Sequence, residues 1–346
     1  MIDAIRRTDL PVLLLHNVDP LWSAEEVDSA LTDVRVMIEA LKIEGHPVFD
    51  LQVKNSDLQA ALKPYEPEGY IVINWCEELP NCPKSEADVA TVLTSQSYAY
   101  TGSPPEVLAL SWHKMAVKKA LQKNGITTPF GRVVSLDDID QWTCFPAIVK
   151  PSFEHCSIGV TAQAIVFNPQ ELRERIGYVE EVLKQPALVE DFIEGREFHV
   201  SLWGNGQIEM LPPTEMDFSA FADIRRHLCT YDSKFMPGSE DFEKIEMVIP
   251  ALLDDHLYEQ MWQTTYRSYC MLGCRDYARI DLRLRNNILY ILDINPNADL
   301  SPDTSMVYAA ASKGISYGEF ASRLVNLAAQ RHAVFGAAFS RSTTAF

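Results

Sequence analysis

Apolar and polar positions alternate along the first hundred residues in a way that predicts strand, helix, strand, helix, strand. Pro11-Val-Leu-Leu-Leu-His-Asn17 reads as a buried strand. A helix follows from about Ser23, with Ser23 as N-cap and Glu26 three residues on, the reciprocal capping-box arrangement. Val27, Leu31, Val34, Met37 and Leu41 fall on one helical face, and Gly45 ends it. Residues 48–53 and Tyr70-Ile-Val-Ile-Asn74 read as further strands. Such alternation builds a small parallel sheet covered by helices. Sheets of this kind bind ligands at the C-terminal ends of their strands, where His16, Asn17, Asn74 and Trp75 are expected.

Tyr100-Thr-Gly-Ser-Pro-Pro105 is a turn-rich boundary. A single helix is expected from about 105 to 123, stopped at Asn124-Gly125. Strands are expected near 130–134, 146–150, 160–166 and 187–191. The chain divides into units at 1–105, 106–200 and 201–332, with a tail at 333–346 whose end, from 335, is expected to fray. Repeats and low-complexity tracts are not seen.

With 346 residues, 47% of them hydrophobic, the chain can bury two or three cores. Its formal charge of −18 argues against a general nucleic-acid binder, which needs a basic field. No apolar run reaches the ~18 residues of a membrane span, and no signal peptide is read at the start, so the cytoplasm is the expected location. The seven cysteines show no C-x-x-C pairs and are expected to be reduced thiols; Cys270 and Cys274 lack the second pair a structural zinc site needs.

Three segments carry candidate chemistry. In Phe145-Pro-Ala-Ile-Val-Lys-Pro-Ser-Phe-Glu-His-Cys-Ser-Ile-Gly-Val160, a strand delivers Lys150 beside a loop with Ser157 and Gly159, and another strand follows. A lysine fixed at a strand end can hold phosphates as a point charge, and small loop residues let backbone N–H groups approach them; a hairpin with an exposed lysine would look the same. In Leu188-Val-Glu-Asp-Phe-Ile-Glu-Gly-Arg-Glu-Phe-His-Val200, Glu190 and Glu197 flank the apolar Phe192-Ile193, which suits an adenosine, or solvated acids around a turn. In the third, residues 279–284 alternate so that Arg279, Asp281 and Arg283 share a strand face, and a turn at Asn286-Asn287 returns a strand carrying Asp293 and Asn295. If these strands pair, Asp281, Asp293 and Asn295 make a hard-oxygen set suited to Mg²⁺.

Taken together, Lys-Pro-x-x-Glu-x-x-Ser-x-Gly-Val, Val-Glu-x-Phe-Ile-x-Gly-Arg-Glu-Phe, Arg-Asp-Tyr-Ala-Arg-Ile-Asp and Asp-Ile-Asn-Pro-Asn, in this order, resemble the D-alanine–D-alanine ligase branch of the ATP-grasp superfamily. Tyr100-Thr-Gly-Ser103, with Lys114 eleven residues on, matches as well. The similarity covers about 70–330. It implies an α/β (α+β) ATP-grasp fold: an N-terminal parallel α/β domain, a small central ATP-binding subdomain and a larger C-terminal catalytic subdomain. It implies an ATP- and Mg²⁺- (or Mn²⁺-) dependent carboxylate–amine ligase that works through an acyl phosphate on an amino acid or other small carboxylate, and a homodimer. By the same resemblance, Lys114 and Lys150 bind ATP phosphates, and Ser157 and its loop cover them. Glu190 accepts from the adenine amino group, Phe192 and Ile193 line the base pocket, and Glu197 binds the ribose. Lys234 reaches the γ-phosphate from a mobile loop, Arg279 stabilises the oxyanion, and Asp281, Asp293 and Asn295 hold Mg²⁺. The region 212–240 is the candidate lid.

The chain departs from the family pattern in four places. His155 and Cys156 stand where the phosphate loop usually has Gly and Ser, and Phe235 where tyrosine is common. After Asn295-Pro-Asn297, Ala298-Asp299 replaces Pro-Gly, in a turn that in the dipeptide-forming enzymes receives the acceptor's carboxylate. An aspartate there repels a carboxylate and attracts a cation, so the expected acceptor is not D-alanine. The usual N-terminal Gly-Gly and Ser-x-Glu signals are missing, with Glu25 or Glu26 as candidates for binding the donor's ammonium. A related ATP-grasp enzyme that cyclises or phosphorylates another carboxylate, and a nucleotide-binding protein without catalysis, are the alternatives.

Overall fold

The computed structural model describes residues 6–20, 22–155, 157–236 and 238–340, with the backbone only at residues 234, 235 and 340. The elements form three sheets, and the candidate site is built where the sheets meet.

The first sheet comes from β1 (Val12–Asn17), β2 (Val48–Val53), β3 (Ile71–Trp75) and β4 (Ala99–Tyr100), all parallel in the order β2-β1-β3-β4. Helix α1 (Ala24–Glu44) begins with the expected capping box: Ser23 Oγ accepts from the Glu26 N–H, and the Glu26 carboxylate accepts from the Ser23 N–H. It ends at Gly45, whose φ of 107° a side chain would resist. Short α2 (Leu58–Leu62) and α3 (Glu86–Ser95) cover the other face.

The expected helix over 105–123 is two helices, α4 (Pro105–Ser111) and α5 (Lys114–Lys123). The break at Trp112-His113 is held by tertiary contacts rather than by a local breaker. The Trp112 ring meets His155 edge-on, and the His113 ring meets Phe153. The break makes Lys114 the first residue of a new helix.

The second sheet joins β5 (Gly131–Val133), β6 (Ala147–Pro151), β7 (Ile165–Val166) and β8 (Ala187–Asp191) in the antiparallel order β5-β8-β6-β7, with α6 (Pro169–Glu181) packed on it. The strand expected at 160–166 shrinks to two residues, because 162–164 turns as a 3₁₀ helix after Gly159.

The third sheet holds β9 (Arg196–Asn205), β10 (Gln207–Met210), β11 (Thr214–Asp217), β12 (Glu246–Val248), β13 (Tyr277–Arg285) and β14 (Ile288–Asn295). It starts at Arg196, so the turn at 192–195 separates the second and third sheets. Its Gly195 has φ 155°, and an added Cβ would stand 2.0 Å from Leu284 O. The candidate lid region contains β11, a strand paired with β9 and β12, and the helix α7 (Asp232–Phe235), and it ends where α8 (Glu240–Lys244) begins; its first part is therefore sheet. Helix α9 (Asp255–Leu272) backs this sheet. Asn286 and Asn287, at φ 53° and 60°, make the expected tight turn between β13 and β14.

The chain then returns to its beginning. Helices α10 (Ser305–Ser312) and α11 (Tyr317–Ala329) share one core with α1, β1 and β3. The tail carries α12 (Ala337–Ser340), and Phe335 and Phe339 pack on that core, so the fraying expected from 335 does not occur up to the last described residue.

Candidate active site

Strand alternation and the β13–β14 hairpin bring the expected metal set together. Asp281 and Asp293 are directly opposite in the ladder, and Arg279 is opposite Asn295. A register shift after Asp281 leaves Leu282 facing Ile291, so one extra residue bends β14 beside the two aspartates. Arg279 holds Asp281 with two hydrogen bonds, Nε to Oδ1 at 2.7 Å and Nη2 to Oδ2 at 2.9 Å, and Asn295 Nδ2 donates to Asp281 Oδ2 at 3.1 Å. Lys114 Nζ reaches Asp293 Oδ2 at 3.0 Å. Buried surroundings alone would raise the Asp293 carboxyl, but Lys114 and then His155 pull it below the usual range. Two carboxylates and an amide on one strand-pair face, balanced by cations, fit a hard divalent ion that keeps several waters.

A second ionic group lies between the second sheet and α5. Glu190, on β8, is fully enclosed between Lys118 Nζ at 2.5 Å and Lys150 Nζ at 2.9 Å. Burial works to raise its carboxyl, yet the Lys150 and Lys118 ammoniums outweigh that and hold it at about 2. Lys118 also donates to Thr128 Oγ1 and Pro129 O, at 2.8 and 2.7 Å. Lys118 is absent from the expected set, although it lies one helical turn beyond Lys114 on α5.

Glu197, on β9, receives Arg283 Nε on Oε2 at 2.7 Å, from the residue directly opposite on β13. Burial would raise this carboxyl too, and Arg283 and His199 bring it to about 2. Arg283 also donates to Ile193 O at 2.9 Å and lies 4.7 Å over the Phe192 ring. Phe192 and Ile193 are 3% and 2% exposed, an apolar shelf beside Glu190. Ser157, at φ 61°, donates its hydroxyl to Cys229 O at 2.8 Å, tying the phosphate-loop candidate to the third unit. Cys156 and the Lys234 side chain lie outside the described residues.

The C-terminal ends of β1 and β3 face a different environment. Asn17 Oδ1 accepts from the Glu77 N–H at 3.0 Å, while Asn17 Nδ2 and Asn74 Oδ1 are buried with no hydrogen-bond partner. Glu77 is exposed to solvent yet surrounded by protein at longer range. Loss of bulk water, then Asp299 and Glu86, push its carboxyl up to about 8. Glu86 is pushed up to about 7 by burial, although Asn297 Nδ2 donates to it at 2.9 Å. Asp33, on α1, rises to about 6 through burial and the nearby Asp303 and Asp299. Asp299 is half-buried, accepting from the Ser301 N–H and hydroxyl at 2.9 and 2.7 Å, and its charge acts on both Glu77 and Asp33. Glu77, Glu86 and Asp33 were not among the expected residues; their signal was position alone, just beyond β3, at the start of α3 and on α1. Glu26 is committed to its capping box, and Glu25 is exposed in the first turn of α1.

Comparison with known proteins agrees with this architecture. Residues 121–326 match the family model for the D-ala D-ala ligase C-terminus. A D-alanine–D-alanine ligase of Desulforamulus reducens is 30% identical over 246 residues, 67% of this chain and 73% of the relative. The uncharacterized protein y4sG of Sinorhizobium fredii is 30% identical over 70% of both chains. The crystal structure of D-alanine–D-alanine ligase from Bacillus anthracis complexed with ATP superposes with a TM-score of 0.70 at 18% identity, covering 92% of this chain and 97% of that one, which establishes a shared fold. The chain therefore belongs to the D-alanine–D-alanine ligase family of ATP-grasp enzymes, ATP-dependent ligases that form C–N bonds.

Proposed function

We propose that this ligase activates a small carboxylate with ATP and joins it to an amine acceptor that carries a positive charge, or at least no free carboxylate. The observation that supports it best is the juxtaposition of a fully paired ionic face, Arg279–Asp281–Asn295 with Lys114–Asp293, and an acidic cleft lining of Glu77, Glu86, Asp33 and Asp299.

A carboxylate does not exchange oxide for an amine at neutral pH, so its oxygen must first become a phosphate leaving group. Lys150 and Lys114 take phosphate oxygens as point charges, each exchanging its present carboxylate partner, Glu190 or Asp293, for an anionic substrate. Glu190, Phe192 and Ile193 form the base pocket, and Glu197 accepts from the ribose hydroxyls. Asp281, Asp293 and Asn295 would hold Mg²⁺, which would supply neutralisation of the phosphate charge. Arg279 stabilises the negative charge that develops on the carbonyl oxygen as the amine attacks. Ser157 pins its loop across the phosphates, and Lys234, on α7, completes the cover. Together they keep water from the acyl phosphate.

Asp299 and its acidic neighbours select the acceptor. A cationic group lowers their mutual repulsion, whereas a carboxylate adds to it. The test is phosphate release from ATP with Mg²⁺ across pools of amino acids, diamines and amino-acid amides, with products read by mass spectrometry. Release dependent on a carboxylate and a cationic amine, giving a product lighter by one water, is expected. Stimulation by plain D-alanine alone would refute the acceptor assignment. A phosphorylated or cyclised product would favour a different ATP-grasp reaction, and bound ATP without any turnover a binding protein. Asp299→Gly should raise the apparent KM of the cationic acceptor; an unchanged KM would make Asp299 a bystander.

A further inference from the structure

Beside the hard-oxygen set lies a second group of ligand atoms with different chemistry. Strand alternation puts Glu197 and His199 on the same face of β9, with Phe198 turned into the core behind them. The segment after the 3₁₀ turn Ile224–Arg226 brings Cys229 over that face, and Ser157 fixes the Cys229 carbonyl there. One ligand atom from each of Glu197, His199 and Cys229 lies within 4.8 Å of the other two. The division of Glu197 matters: Arg283 takes Oε2, while Oε1 faces His199 Nε2 at 3.8 Å. Ligands at 2.0–2.3 Å around a tetrahedral ion stand about 3.3–3.8 Å apart, so small side-chain adjustments close the set. Glu197 and His199 are each 5% exposed, which keeps competing water away. Directly opposite His199 on β11 is Thr214, fully buried, whose hydroxyl has no hydrogen-bond partner and can serve the outer shell of a metal-bound imidazole.

A thiolate, an imidazole and one carboxylate oxygen form a borderline-soft set that prefers zinc to magnesium and leaves a fourth position for water. We propose that Glu197, His199 and Cys229 form a zinc site, adjoining the Asp281–Asp293–Asn295 set through His199, whose Nε2 also lies 3.9 Å from Asp281 Oδ1, and that zinc bound there excludes the nucleotide. The exclusion rests on the reading of Glu197 as the ribose-binding residue; the metal site itself does not. Binding converts the Cys229 thiol to thiolate, with its proton released to solvent, and uses His199 in its neutral form. The chain then carries two cation sites of opposite hardness, one that supports turnover and one that blocks it.

The test uses the full chain without nucleotide. Titration with Co²⁺, as a coloured substitute for zinc, should give thiolate-to-metal charge-transfer absorption, and calorimetry with Zn²⁺ alone should show one site. Cys229→Ser should remove the absorption, and both Cys229→Ser and His199→Asn should weaken zinc binding by at least about tenfold. Cys274→Ser should do neither. A band that survives Cys229→Ser, or zinc affinity unchanged in both variants, overturns the site. In turnover assays with Mg²⁺ in excess, zinc should raise the apparent KM for ATP at constant kcat, and Cys229→Ser should abolish that effect while keeping zinc-free turnover. Zinc binding with an unaltered ATP KM would overturn the exclusion while leaving the site in place.

Discussion

The two halves of the cleft use the same residue types to opposite ends. In the nucleotide half, buried Glu190 and Glu197 are each matched by cations and held at about 2. In the acceptor half, Glu77 and Glu86 have no such counterweight and rise to about 8 and 7. Enclosure by protein acts on all four in the same upward direction, although Glu77 itself is exposed; what differs is whether an ammonium or guanidinium stands beside the carboxylate. The paired half is complete without its substrates, and its cations are the groups a polyphosphate would recruit. The acidic half is electrostatically unfinished, and the missing charge belongs to what it binds.

The largest effect is expected from Glu190→Gln, which leaves Lys118 and Lys150 buried without their anion. A loss of about 3–5 kcal/mol is expected, read as a lower denaturation midpoint. Next is Arg279→Ala, which should lower kcat about 100- to 1,000-fold with a modest change in stability, because the oxyanion loses a placed donor. A variant with unaltered kcat would remove Arg279 from the chemistry.

The acidic half makes a pH prediction of definite sign. An unfolded glutamate releases its proton near 4.5, whereas folded Glu77 keeps it to about 8. Across that window the folded state holds more protons, so stability is full below about 4.5 and falls as pH rises towards 8. Thermal melts of the ligand-free protein from pH 5 to pH 8 should decline, Glu77→Gln should flatten the decline, and a cationic acceptor should restore stability most at pH 8. A decline left intact by Glu77→Gln would locate the effect elsewhere. The smallest change is Glu26→Ala, expected to lower the denaturation midpoint only slightly through the lost half of the capping box and to leave the donor's KM unchanged. A raised KM would return Glu26 to the substrate site.

What the sequence disclosed follows the range of the forces involved. The capping box at Ser23 and Glu26, and the turn at Asn286-Asn287, depend on neighbours within four residues, and both formed as expected. The convergence of Asp281, Asp293 and Asn295 followed from two strands joined by that turn, each with a period of two. The break between α4 and α5 was not legible, because it answers to rings delivered from residues 153 and 155. Nor was Lys118, whose partner Glu190 arrives 72 residues later in the chain. The acidic lining was hidden for the same reason: Asp33, Glu77, Glu86 and Asp299 sit on four separate segments and become one environment only when the first and third units close together.

The return of α10 and α11 to the core of the first sheet sets a schedule for biosynthesis. Residues 12–75 leave the ribosome long before 305–329, and at about 5–20 residues per second the face that α11 will cover waits roughly 15–60 s for it. During that interval Leu14, Ile73 and Met37 lack part of their final apolar cover. The first unit therefore leaves apolar surface in need of protection on the nascent chain, and α11 is the helix that covers it.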